Sequence, residues 1–183
     1  MAEKWNSAVM FPQDNAILRV IEAGFGPSKS SGNPMITLGY EIVAPESINV
    51  AGVDYSVAGL KITPGYYTTA TLDDAEKTTT NEQRVFKSAS PERPSLYEVF
   101  EIDTTGVDKN NPDVTVFKGK LVHALLTSEV KEKTKSPTAE QLKKGQKVGD
   151  VIKNPKTGKP EITFYPKIVK LYGLADGGVS GAL

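Results

Sequence analysis

Residues 35–43 read MITLGYEIV, and no other stretch of the chain restricts its fold so tightly. Ile36, Leu38, Tyr40 and Ile42 recur at every second position, with Met35, Thr37, Gly39 and Glu41 between them. A period of two places the first set on one face of a strand and the second set on the other, so this segment is a half-buried strand with a core face and an open face. Residues 16–23, AILRVIEA, supply a preceding strand, and the intervening GFGPSKSSGNP of residues 24–34 is turn chemistry. The two strands and this loop form a hairpin.

The rest of the chain continues in the same manner. Residues 51–56 and 57–72 read as further strands, the second interrupted by Pro64-Gly65; residues 73–88 are the best candidate for a single short helix, opening on Asp73 with Asp74 and Glu76 in its first turn. Short apolar segments at 96–102 and 114–117 flank an acidic, turn-forming loop. Residues 119–133 form a long strand, residues 134–160 are polar and turn-rich, and residues 161–174 return as a strand whose Ile162, Phe164, Pro166, Ile168 and Leu171 share a face until the pattern slips. The last pair makes a long β-hairpin with a charged tip. Sixteen glycines and twelve prolines among many threonines and valines agree with short strands and turns. The expected fold is all-β with one short helix, a single domain over residues 1–174, followed by a flexible tail at 175–183.

Charge is distributed unevenly along this framework. Residues 129–170 hold eleven lysines (Lys131, Lys133, Lys135, Lys143, Lys144, Lys147, Lys153, Lys156, Lys159, Lys167 and Lys170) against five acids, a balance of +6. The whole chain has 22 basic and 22 acidic residues, so the remainder stands at 11 against 17, or −6. A lysine-rich arm on a neutral protein can follow a polyanion, because each lysine near a phosphate releases a condensed counterion. Aromatic residues lie among basic ones: Tyr66 and Tyr67 near Lys61, Phe86 between Arg84 and Lys87, Phe117 beside Lys118 and Lys120, and Phe164-Tyr165 before Lys167. On a half-buried strand an aromatic is in the first instance a core residue, but in an adjacent pair one member must point outward, where it can stack on a base.

Sequence motifs narrow the chemistry. Cysteine is absent, which removes disulfides, thiolate metal sites and cysteine nucleophiles and suits a reducing compartment. The single histidine, His123, sits in the apolar run LVHALL and reads as a satisfied strand residue. Neither Gly119-Lys120 nor Gly158-Lys159 is followed by the Ser or Thr of a phosphate-binding loop, and Gly24-Phe25-Gly26 lacks the third glycine of a dinucleotide fingerprint. Asp73, Asp74 and Glu76 match no calcium loop. No catalytic constellation, metal site or cofactor is expected. The opening MAEKWNS has no signal-peptide pattern and no apolar run is long enough to span a membrane, so the expected location is cytoplasmic.

The order AILRVIEAGFGPSKSSGNPMITLGYEIVAPE resembles the opening of phage-encoded single-stranded-DNA-binding and replication-accessory proteins. In that group a first strand, a Ser/Lys/Gly loop ending in Gly-Asn-Pro-Met and a second alternating strand form the first hairpin of an OB-type barrel. The likeness is strongest over residues 16–46 and looser over 119–174. It implies a five-stranded Greek-key barrel that binds DNA across strands two and three and between its first and last long loops. In this sequence those elements carry Lys29 in the first loop, Met35 and Thr37 on the open face of the second strand, and Lys61 with Tyr66 or Tyr67 on the third. The final long loop is the arm, with Lys131, Lys133, Lys135, Lys143, Lys144, Lys153, Lys156 and Lys159. Together with Lys118, Lys120, Phe164, Tyr165 and Lys167 these are the expected DNA contacts.

The resemblance implies a sequence-tolerant protein that coats single-stranded DNA in phage replication or recombination, in the host cytoplasm, with replication or recombination proteins as further partners. The chain departs from many such proteins in having Asp176 as the sole acid after Glu161, so a partner-recruiting acidic tail is not part of the expectation. A phage structural or assembly β-protein, docking its lysine hairpin on an acidic neighbour or on its own copy in a homo-oligomer, is the alternative.

Overall fold

The computed structural model describes residues 1–30, 32–69, 84–86 and 94–174. The chain is β-rich. Its main sheet has five strands, β2 (Asp14–Pro27), β3 (Pro34–Ala44), β6 (Gly65–Thr68), β7 (Leu121–Glu132) and β8 (Ile162–Tyr172), in the order β6-β3-β2-β7-β8. Every neighbouring pair is antiparallel. A second sheet of three short strands, β1 (Glu3–Lys4), β4 (Ser47–Val50) and β5 (Val53–Ser56), has β5 at its centre.

The alternation of β3 sets the inside of the sheet. Ile36, Leu38, Tyr40 and Ile42 are all buried, joined by Leu18 and Val20 of β2 and Val122, Ala124 and Leu126 of β7. Tyr40 and Tyr67 meet in this core with their hydroxyls 2.9 Å apart, so these two buried phenols partner one another. Burial pushes both phenols well above their ordinary range. The Pro64-Gly65 break serves that pair: a Cβ at Gly65 would collide with the ring of Tyr67.

The sheet carries bulges, of which sequence periodicity shows only one. Ile21 is passed over in the register between Val20 and Glu22, and Gly39 opposite is tightly placed, since a Cβ there would lie 3.1 Å from that of Glu22. Val169 is passed over in β8, and this bulge is the slip seen in the apolar pattern there. The curl brings the two edges of the sheet together. The amide of Thr63, just before β6, donates to the carbonyl of Pro166 in β8 at 3.3 Å. No ladder between described strands closes the sheet into a barrel.

Several sequence expectations change. The first loop shrinks to residues 28–33, because Gly24, Phe25, Gly26 and Pro27 pair with Thr37, Ile36, Met35 and Pro34. Of the strand expected at 57–72, only Gly65–Thr68 is an element, preceded by a bridge between Lys61 and Glu41; residues 70–72 lie outside the described residues. The helix expected at 73–88 also lies outside them, except for 84–86, which are not helical. Two short helices appear elsewhere: α1 (Leu96–Val99) and α2 (Ala139–Lys143). Each opens on a capping box, Ser95 with Glu98 and Thr138 with Gln141, in which side chain and backbone satisfy one another's amides. Residues 114–117 form a 3-10 turn capped by Asp113. The side chains of α1 and Phe117 fill one end of the core, where Tyr97 and Phe100 each pack edge-on against Phe117.

Candidate nucleic-acid interface

Strand register decides which member of each aromatic pair is available. Tyr66 lies opposite Thr37 on the open face and is 62% exposed; Tyr67 lies opposite Ile36 and is 5% exposed. Tyr67 is thus a core residue, and its expected role in stacking is withdrawn. In the second pair Tyr165 faces outward at 39% exposure, whereas Phe164 is half-buried beside Val130. Phe164 therefore offers less surface than the expectation assigned it.

The open face around Tyr66 is flat. Across β6, β3 and β2 the register runs Tyr66, Thr37, Gly24 and then Thr68, Met35, Gly26. A Cβ at either glycine would meet nothing within 4 Å, so a ligand can approach the backbone of β2 as well as the side chains of Thr37 and Met35. Lys29 is exposed in the tip of the same hairpin, where Ser28 and Asn33 close the turn through a 2.8 Å backbone bond.

The edge contact joins this strip to β8. Four successive antiparallel pairings make β6 and β8 run in the same direction. The Thr63–Pro166 bond places the segment leading into β6 beside the residue that follows Tyr165. Exposed Lys167 lies two residues after Tyr165, and exposed Lys61 lies two residues before Thr63. Lys131, beside Tyr165 on the outer face of β7, holds its ammonium 5.5 Å from the Tyr165 ring. Lys61 and Tyr66 thus lie before and in one edge strand, and Lys131, Tyr165 and Lys167 lie on the hairpin that carries the other.

The arm is an ordered structure. Beyond β7 and β8 the backbone amide of Lys133 donates to Glu161 and that of Ile152 to Lys133, both at 2.8 Å, while Lys135 donates to Asp150 at 2.9 Å. Gln141 of α2 donates to the Asp150 carboxylate at 2.9 Å. Gly149 packs so closely that a Cβ there would lie 2.6 Å from the carbonyl oxygen of Lys135. Three arm lysines have acidic neighbours: Lys131 with Glu129, Lys133 with Glu161 and Lys144 with Glu140, at 3.7 to 3.8 Å. Lys135, Lys143, Lys147, Lys153, Lys156, Lys159 and Lys167 have no ion pair among the described residues and are exposed.

Lys118 and Lys120 are not brought to this surface. They lie where β7 begins, with Lys120 accepting from the Val20 amide through its backbone carbonyl, far along the strand from Ser128, the β7 residue that pairs with Pro166 at the edge contact. His123 is buried, at 1% exposure, opposite Ile17 on β2 and Tyr172 on β8, with ring centroids of His123 and Tyr172 5.5 Å apart. Neither ring nitrogen has a hydrogen-bond partner among the described residues, so it is not the satisfied histidine expected; burial pushes the imidazole below its ordinary range. No cluster of three or more metal-ligating side chains occurs among the described residues, and no described helix is long and apolar enough to cross a membrane. The row of glycines beside Thr37 and Met35 escaped sequence reading because Gly24 and Gly26 resemble turn residues until their pairing is known.

Comparison of the chain with protein family models, with curated proteins and with solved structures finds no match.

Proposed function

We propose that this protein binds single-stranded DNA with little sequence preference and coats it during phage replication or recombination, without catalysing a reaction. The observation that carries this reading is the exposure of Tyr66 and Tyr165 on the two edge strands of the main sheet, with Lys131 over the Tyr165 ring and exposed Lys61 and Lys167 close by in the chain. Aromatic faces accept any base, and ammonium groups accept any phosphate, so this combination binds a strand without reading it. The arm supports the same reading, since its unpaired lysines continue the basic surface beyond Tyr165.

The strand order supports an OB-type framework. A five-stranded Greek-key barrel cut between its third and fifth strands unrolls to the order observed here, with β2, β3, β6, β7 and β8 as strands one to five. The Lys29 loop then joins strands one and two, and the arm joins strands four and five, the positions where such barrels hold oligonucleotides. A duplex would bury its bases away from the tyrosines and lose the stacking.

Fluorescence anisotropy of a labelled oligothymidine, run beside a duplex of equal length at low and moderate salt, tests the proposal. Tight, salt-sensitive binding to the single strand and much weaker binding to the duplex is expected. Reversal of Lys153, Lys156 and Lys159 to glutamate should lower affinity and flatten the salt dependence, each lysine in contact adding about one to the slope. Absence of binding to either nucleic acid at low salt overturns it.

A further inference from the structure

The β7–β8 hairpin has two faces, and the nucleic-acid reading uses one of them. Lys131, Tyr165 and Lys167 lie outward; on the inner face the pairs are Leu126 with Ile168, Ser128 with Pro166, Val130 with Phe164 and Glu132 with Ile162. The first two pairs are covered. Leu126 and Pro166 are buried, and Ser128 donates to the Phe11 carbonyl at 2.7 Å as the amino-terminal segment crosses them. The same segment reaches the third pair at its β8 side, where the Phe164 amide donates to the Ser7 carbonyl at 2.7 Å, but it leaves Val130 55% exposed and Ile162 45%. Two β-branched residues in adjacent cross-strand pairs make an exposed apolar step at the end of the hairpin, and Leu142 and Val148 of the arm are exposed as well.

From this we infer that the inner face of the projecting hairpin is a docking surface for a second copy of the same chain. The choice of occupant rests on charge. The arm segment carries +6 and the remainder −6, so the rest of another copy is complementary to it. The remainder's acids include Glu101, Asp103, Asp108 and Asp113 in and beside the loop after α1, none of which has an ion pair among the described residues. That loop lies before the start of β7 and the arm after its end. The length of β7, about 40 Å at 3.3 Å for each of its twelve residues, separates the two within one chain. The contact therefore joins different surfaces of two copies, head to tail, and repeats from copy to copy. It does not require DNA.

Sedimentation velocity without nucleic acid, over a range of protein concentrations and at low and moderate salt, is the test. The wild-type chain should form species that grow with concentration and diminish with salt. Val130→Ser with Ile162→Ser, two side chains outside the buried core, should sediment as a monomer at low salt and still bind a short oligothymidine as wild type does. A chain carrying Lys153→Glu, Lys156→Glu and Lys159→Glu and one carrying Glu101→Lys and Asp108→Lys should each associate at least about tenfold more weakly alone, the scale expected when several interfacial charges are reversed, and recover when mixed. A wild-type monomer under all conditions, association of the Val130/Ile162 variant equal to wild type, or association indifferent to salt would each overturn the inference, whatever the DNA result.

Discussion

The sheet and the arm are ordered by different means. In the sheet, Leu18, Ile36, Leu38 and Leu126 are withdrawn from water, and their burial fixes which face of each strand is inside. The arm has no fully buried residue between Lys133 and Glu161. Its conformation rests on backbone bonds, one capping box and the close packing of Gly149 on Lys135. Order of that kind costs little to undo and contributes little to global stability, so the two regions should respond differently to the same class of change.

The largest separation is expected from truncating a leucine in each. Leu38→Ala should lower the unfolding free energy by about 2–5 kcal/mol, as core leucine truncations do, whereas Leu142→Ala should stay within about 0.5 kcal/mol; urea denaturation of both variants compares them. Equal losses would mean that the arm belongs to the cooperative core.

Within the sheet, the two neighbouring tyrosines sharpen the contrast between its faces. Tyr67→Phe leaves the Tyr40 hydroxyl buried without its partner and should cost about 1–3 kcal/mol of stability with oligothymidine affinity unchanged. Tyr66→Ala should reverse that pattern, with stability unchanged and affinity weaker by about 1–3 kcal/mol. Within the arm, Gly149→Ala should speed hydrogen exchange at the amides of Lys135 and Ile152 while leaving the denaturation midpoint in place, because the new Cβ presses on backbone.

The smallest effect is a pH slope. His123 is held neutral in the folded chain, so its folded pKa lies below the usual 6.5 and the unfolded chain binds the extra proton as pH falls past that value. The contribution is complete above about pH 6.5, where both states are neutral, and is progressively lost below it. Denaturation midpoints measured from pH 5 to pH 7 should show a shallower decline for His123→Leu than for wild type. An identical decline would assign the slope to other groups.

Much of this contrast is legible in the sequence. The period of two in residues 35–43 predicts the core face of β3 residue by residue, and the lysine-rich stretch between two strand patterns predicts a hairpin with a charged end. Tyr66 and Tyr67 show where legibility stops: adjacency requires one to point outward, but only the pairing with Thr37 and Ile36 says which. The helices were legible and missed, since Ser95-Leu96-Tyr97-Glu98 and Thr138-Ala139-Glu140-Gln141 both carry the capping-box spacing. The meeting of β8 with the segment before β6 joins residues far apart in the chain, which no strand pattern encodes, and an apolar pattern registers a bulge such as that at Val169 only as a fault in its own period.

The arm leaves the sheet from Glu132 and returns at Ile162, and these two residues are direct cross-strand partners. Everything between them is, topologically, an insertion whose ends already touch. A tight two-residue turn could replace it without changing the order, direction or register of any sheet strand. Descendants of this chain are therefore free to lengthen, shorten or exchange that segment in a single genetic event, so the reach and charge of the protein can diversify while its scaffold stays constant.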